Sequence, residues 1–340
     1  MIDSEEAPLF AETTSWEDAQ LRLESLGLGD GLPLVPPTAR RMARMLAGVT
    51  EPEQSYGLVP PLFGDLTAAA AAYQCVLAGC VPAELPVVLT AVTACLEPQF
   101  NLLGIQTTTG TPTVAVIVHG PITSTLGMNA ETNCLGPGNR ANACIGRAVQ
   151  LLLTNIGGAR PGIGDMATMG QPGKYTFCCA EGEDAAWPPL HVRRGFAPEQ
   201  SAVTVLGVSG TMEVLPIGGD ARPQAIFGPV LAAMHGARTA SSAGRLRLSG
   251  EQFFLVPPEL AHLAAKAGWT LADIQNDLFG ASSAPGFEDD PAGDPGPLAC
   301  SAADIHPILT GGAGIKMTYL PLWAGGTLSV TSGLVDLARP

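Results

Sequence analysis

The run Thr113-Val-Ala-Val-Ile-Val118 sets apolar and β-branched residues at consecutive positions, with no polar alternation, and stops at His119-Gly120-Pro121. A strand of this kind has no face to give to water, so it predicts a sheet covered on both sides. Ala202–Val208 and Gln252–Val256 predict further strands, with others around Ile305–Leu309 and near Thr327–Thr331. Helical spacing falls between them at about Gln224–Met234, Pro258–Ala267 and Leu271–Phe279, the last capped by Thr270. The resulting order predicts an α/β fold with a mixed or parallel sheet under helical cover.

The region before these strands reads as helical. Ser15-Trp-Glu-Asp18 is close to a capping box and opens a helix to about Leu26, and Thr38 and Gly48 bracket a second. Asp65 is the expected cap of an Ala-rich helix ending near Gly79, and Pro82 opens another to about Leu96. Asn139–Leu153 carries Ala141, Ile145, Ala148 and Leu152 on one stripe and is stopped by Gly157-Gly158. Two regions are expected, a helical N-terminal region plus first α/β half over 1–200 and a second α/β half over 201–340, with one compact unit as the alternative. Residues 281–301 have no hydrophobic period and read as a solvated excursion.

Composition narrows the function. The chain has 340 residues, 46% of them hydrophobic and 14% charged, so it can bury a large core, and 41 Gly with 30 Pro predict many tight loops. A net charge of −14 opposes nucleic acid and anionic membrane surfaces as partners, because both need a basic footprint. The acidic start lacks a basic end and apolar stretch, and no run reaches the roughly 18 apolar residues of a membrane span. A soluble, cytoplasmic chain is expected, and the charge-poor composition suits a homo-oligomer. Eight cysteines without CxxC read as free thiols, and five scattered histidines without HExxH predict no dedicated metal site. No GxGxxG or P-loop spacing occurs, so no organic cofactor is expected.

Chemistry is expected in the polar loops at strand ends. His119 closes the first strand, and Thr310-Gly-Gly-Ala-Gly314, containing Gly312, is followed by Lys316. Thr108 lies in a threonine-rich loop, and Asn139-Arg140 opens a helix whose dipole and backbone donors favour an anion. Arg140, Cys144 and Arg147 are spaced four and three residues apart and share a face, where two guanidinium groups would favour a thiolate. Cys134 is the competing thiol. Asp165 and Lys174 are charged residues in an otherwise uncharged loop. His119 is the expected general base and Arg140 the substrate clamp, and His119, Asn139, Arg140 and Lys174 are expected to converge. Each residue also has a plainer reading: Asn139 as a cap, Lys174 paired with Asp165 or Glu181, Cys144 as an inert thiol, His119 bonded to a turn.

Asp30-Gly-Leu-Pro-Leu-Val-Pro-Pro-Thr38, Ala78-Gly-Cys-Val-Pro82, Gly136-Pro-Gly-Asn-Arg-Ala-Asn142, Asp165-Met-Ala-Thr168, Pro172-Gly-Lys-Tyr-Thr-Phe177 and Gly311-Gly-Ala-Gly314 occur in this order. The set resembles the bacterial UGSC-type (seleno)proteins, often labelled thioredoxin-like, over about residues 15 to 335, although the chain has no Cys-Gly-Ser-Cys motif. The resemblance implies a thiol redox function. The residues themselves favour a soluble enzyme acting on a small carboxylate-bearing substrate by acid/base or thiol chemistry, as a lyase, isomerase or hydrolase. A non-catalytic binding or assembly subunit is the third reading.

Overall fold

The computed structural model describes residues 7–184, 186–242, 250–282 and 297–338. Most of the expected excursion lies outside them. Helices α1 (Trp16–Ser25) and α2 (Ala39–Met45) begin at Ser15 and Thr38, whose hydroxyls accept from the Asp18 and Arg41 N–H groups. The hairpin of β1 (Ser55–Val59) and β2 (Gly64–Thr67) leads into α3 (Ala68–Ala78). Thr67 caps α3, not Asp65, which belongs to β2 and bonds Ser55. α4 (Leu85–Cys95) and α5 (Leu102–Thr107) complete the N-terminal helices.

The remaining elements are β3 (Thr113–His119), α6 (Ile122–Thr125), α7 (Arg140–Asn155), β4 (Cys178–Ala180), α8 (Leu190–Arg193), β5 (Ala202–Val208), β6 (Met212–Val214) and α9 (Pro223–Ser242). They are followed by β7 (Gln252–Val256), α10 (Pro258–Lys266), α11 (Leu271–Ser282), β8 (Ile305–Leu309), β9 (Met317–Leu320) and β10 (Val330–Gly333). The last strand begins three residues later than its sequence pattern predicts. This is an α/β fold with mixed sheets.

Two four-stranded sheets carry it, in the orders β10-β5-β3-β4 and β6-β9-β7-β8. Each has two antiparallel pairings and one parallel edge pairing, β3 with β4 and β7 with β8. The two sheets trade a strand. β6 directly follows β5 yet joins the second sheet, whereas β10 comes from the chain's end to join the first. Val208 pairs with Leu322 where the sheets meet.

Side-chain alternation along the strands sorts the layers. Val114, Val116 and Val118 of β3 and Val203 and Val205 of β5 pack under α3, α4 and α7. Their alternates, Ala115, Ile117, Leu206 and Val208, pack against Phe253, Leu255, Ile308 and Leu320 of the second sheet. Phe254 and Val256 of β7 and Ile305 and Leu309 of β8 face α9, α10 and α11. The layers therefore run helix, sheet, sheet, helix, which is why β3 is buried at every position. Gly146 lets α7 sit close on β4, since a Cβ there would stand 2.4 Å from the Thr176 hydroxyl and 2.8 Å from the Phe177 nitrogen. Among the described residues no single helix is long and apolar enough to cross a membrane.

Candidate functional site

The layer between the sheets is apolar at its centre and polar at one end, and the same alternation builds that end. His119 continues the Ala115, Ile117 series, Thr204 continues Leu206 and Val208, and His306 alternates with Ile308. Glu181 follows β4 immediately, His191 lies in α8, and Glu251 directly precedes β7. Strand periodicity thus delivers hydroxyls, imidazoles and carboxylates into a space otherwise filled by aliphatic groups.

His119 Nδ1 lies 2.7 Å from Glu181 Oε2, and its Nε2 lies 2.7 Å from Thr204 Oγ1, which in turn meets Thr331 Oγ1 at 2.8 Å. Glu181 Oε2 also accepts the Leu190 N–H, while Oε1 lies 3.7 Å from Arg193 Nη2. His191 stacks on His119 with ring centroids 5.6 Å apart. It is fully buried, and neither of its ring nitrogens makes a hydrogen bond of good geometry, although the Pro198 backbone acts on the ring as a hydrogen-bonding group that favours its protonated form. Burial pulls the His191 pKa down, and the neighbouring His119 adds to that shift.

A second group adjoins this one. Arg194 Nη2 and His306 Nε2 meet the same oxygen, Glu251 Oε1, at 2.7 and 3.2 Å, and Arg194 also donates to Ser329 and Thr331. Burial pushes the Glu251 pKa up, but hydrogen bonds from His306 and Ser329 and the Arg194 charge outweigh it, so the group remains the stronger acid. His306 is pulled down by burial, against the opposing pull of Glu251. Its one protein hydrogen bond among the described residues is through Nε2, so Nδ1 keeps a free lone pair.

Arg193 Nη2 donates to the Pro307 carbonyl, but Nε and Nη1 are buried without a partner. Burial lowers its pKa, Glu181 opposing. Arg193, Arg194 and His306 line one cavity of about 800 Å³, closed on the other side by Trp269, Gln275 and neighbouring residues of α11.

The expected site residues lie elsewhere, His119 excepted. Lys174 pairs with Asp165 near the start of β3, where Gly173 accepts from Thr113, so it stands a strand's length, about 20 Å, from His119. Asn139 caps α7 by accepting the Asn142 N–H. Arg140 binds Glu84 through two hydrogen bonds, and Arg147 binds Asp30 and the carbonyls of Leu32 and Pro33, pinning the extended loop against α7. The structure does not bring His119, Arg140 and Lys174 together, because each of the last two already has a carboxylate of its own.

Cys144 does sit on the Arg140 and Arg147 face, but burial and Glu84 raise its thiol pKa beyond what the two arginines lower it, opposite to the expected thiolate. Cys134 is buried in the inter-sheet core. Thr108 accepts the Gly110 N–H within its own turn. Gly312 packs on Thr132 and lines a separate cavity of about 710 Å³ with Glu131, Glu259, His262 and Lys266, and exposed Lys316 pairs with Glu213. Cys75, Cys80, Cys95, Cys134, Cys144, Cys178 and Cys179 are free thiols.

Glu181, His191, Arg193, Arg194, Glu251 and His306 escaped sequence reasoning. Glu181 is the first carboxylate after the apolar run Phe177-Cys-Cys-Ala180, which is the one local signal; His191 and the two arginines lie in a Pro/Arg-rich stretch that looks like a boundary. Comparison with known families found no matching family model, and a search of curated proteins found no match.

Proposed function

We propose that the chain is a small-molecule enzyme that holds a carboxylate-bearing substrate in the cavity beneath α8 and acts on it by acid/base chemistry, in the lyase, isomerase or hydrolase class. The observation that carries this reading is Arg193, two of whose guanidinium nitrogens are buried without an acceptor beside the Arg194–Glu251–His306 cluster. A guanidinium in that condition favours a planar anion strongly, since a carboxylate supplies two acceptors at matching spacing.

Roles follow from the partners. Arg193 is the clamp. Arg194 is held by Glu251, Ser329 and Thr331 and shapes the positive field. Glu251 fixes the His306 tautomer with the proton on Nε2, leaving Nδ1 as the base, and the lowered pKa of His306 keeps that base unprotonated at neutral pH. Thiol chemistry fits less well, because the thiols of Cys80, Cys95, Cys144, Cys178 and Cys179 are all pushed up. Seven free thiols, Cys75 through Cys179, accord with a reducing, cytoplasmic setting.

The test is a thermal-shift and calorimetric panel of mono- and dicarboxylates on wild type, Arg193→Gln and Lys316→Ala. The reading expects saturable binding by at least one acid to wild type and Lys316→Ala, weakened at least tenfold in folded Arg193→Gln. Equal binding to all three proteins, or binding to none, contradicts it.

A further inference from the structure

One donor atom from each of His119, Glu181 and His191 lies within 4.8 Å of the other two, and all three residues are buried. They come from three elements: the end of β3, the residue after β4, and α8. We propose that this trio binds one divalent cation of the zinc class, fastening α8 to the first sheet. The proposal stands independently of carboxylate binding.

Three observations carry it. First, His191 is fully buried and neither ring nitrogen makes a hydrogen bond of good geometry; even with the Pro198 backbone beside one nitrogen, a neutral imidazole keeps a lone pair on the other with nothing to receive it. Second, His119 has the oriented arrangement of a metal ligand. Thr204 bonds Nε2, so with the ring proton there, Nδ1 points a lone pair toward Glu181 Oε2, and Thr204 leans in turn on Thr331. Without a cation the single ring proton sits on Nδ1, between nitrogen and carboxylate; with the cation bound it sits on Nε2, so the ring stays neutral and changes tautomer.

Third, the donor set selects the ion. Two imidazoles and one carboxylate suit zinc, whereas magnesium and calcium require mainly oxygen donors. Arg193, 3.7 Å from Glu181 Oε1, anchors the second carboxylate oxygen.

The experiment measures zinc in the full-length wild-type chain after chelator treatment and reloading, with X-ray absorption to read the ligand shell. The eight cysteines are the competing ligands. The expected result is about one zinc per chain with a first shell at about 2.0–2.1 Å from nitrogen and oxygen, and no sulfur shell at about 2.3 Å. His191→Ala should lower zinc affinity at least tenfold, and the exposed His262→Ala should leave it unchanged. Failure of wild type to take up stoichiometric zinc overturns the proposal, as does a sulfur shell, or undiminished zinc in His191→Ala. Should His191→Ala not fold, the wild-type shell decides alone.

Discussion

Arg140 and Glu84 form a two-point ion pair, Nη2 to Oε1 at 2.7 Å and Nη1 to Oε2 at 3.1 Å, in which the Glu84 side chain is fully buried and the Arg140 side chain 49% exposed. Glu84 also accepts the Val81 N–H, so the pair ties the start of α7 to the turn that opens α4. The sequence offers Arg140 as a substrate clamp; in the folded chain its hydrogen bonds are already taken.

Arg140→Ala is therefore expected to act on stability. Removing one partner of a buried pair leaves a carboxylate without its counter-charge, at a cost of about 3–5 kcal/mol, and the exposed side of Arg140 admits water that brings the expectation down to about 2–3 kcal/mol. Denaturant unfolding measures it. A loss below about 0.5 kcal/mol would show that water fully replaces the arginine.

Cysteine reactivity should follow burial. Cys300 is exposed, whereas burial and Glu84 raise the Cys144 thiol. A mass-spectrometric alkylation course at neutral pH should label Cys300 first and Cys144 clearly later. Cys144 labelling fastest would revive the thiolate reading of the Arg140 and Arg147 face.

The legible parts of the fold were those where one residue class fills a whole element. β3 and β5 are mainly apolar and buried throughout, and α7 announces itself through Asn139 and its stripe. β4 and β6 are three residues each, too short for a period to show, and the exchange of β6 and β10 between sheets depends on long-range pairing that no local pattern encodes. The site was harder still. His119 was legible because it ends a strand, but its partner Glu181 is 62 residues away, and Glu251 and His306 are 55 apart. Arg140, Arg147 and Lys174 carried the charge pattern of a site because a single sequence shows cations without showing which carboxylates they meet.

Acid should weaken the fold through His306. The groups facing it are Glu251, which favours the protonated ring, and Arg193 and Arg194, which oppose it with burial; the net shift is downward from 6.5. The unfolded chain then binds the proton more readily, so this contribution is present above about pH 6.5 and is lost as pH falls below it. His235 is lowered as well, so the readout is a difference between proteins. Between pH 7 and 5, wild type should lose more unfolding free energy than His306→Gln. Parallel profiles would show that His306 titrates normally.

The most direct measurement is a crystal structure of the chain with the tightest-binding carboxylate from the panel. The account predicts the carboxylate on Arg193 Nε and Nη1, with the remainder of the molecule within reach of His306 Nδ1. Finding it instead on the Arg140 and Cys144 face, or against Gly312 in the loop after β8, would contradict the account.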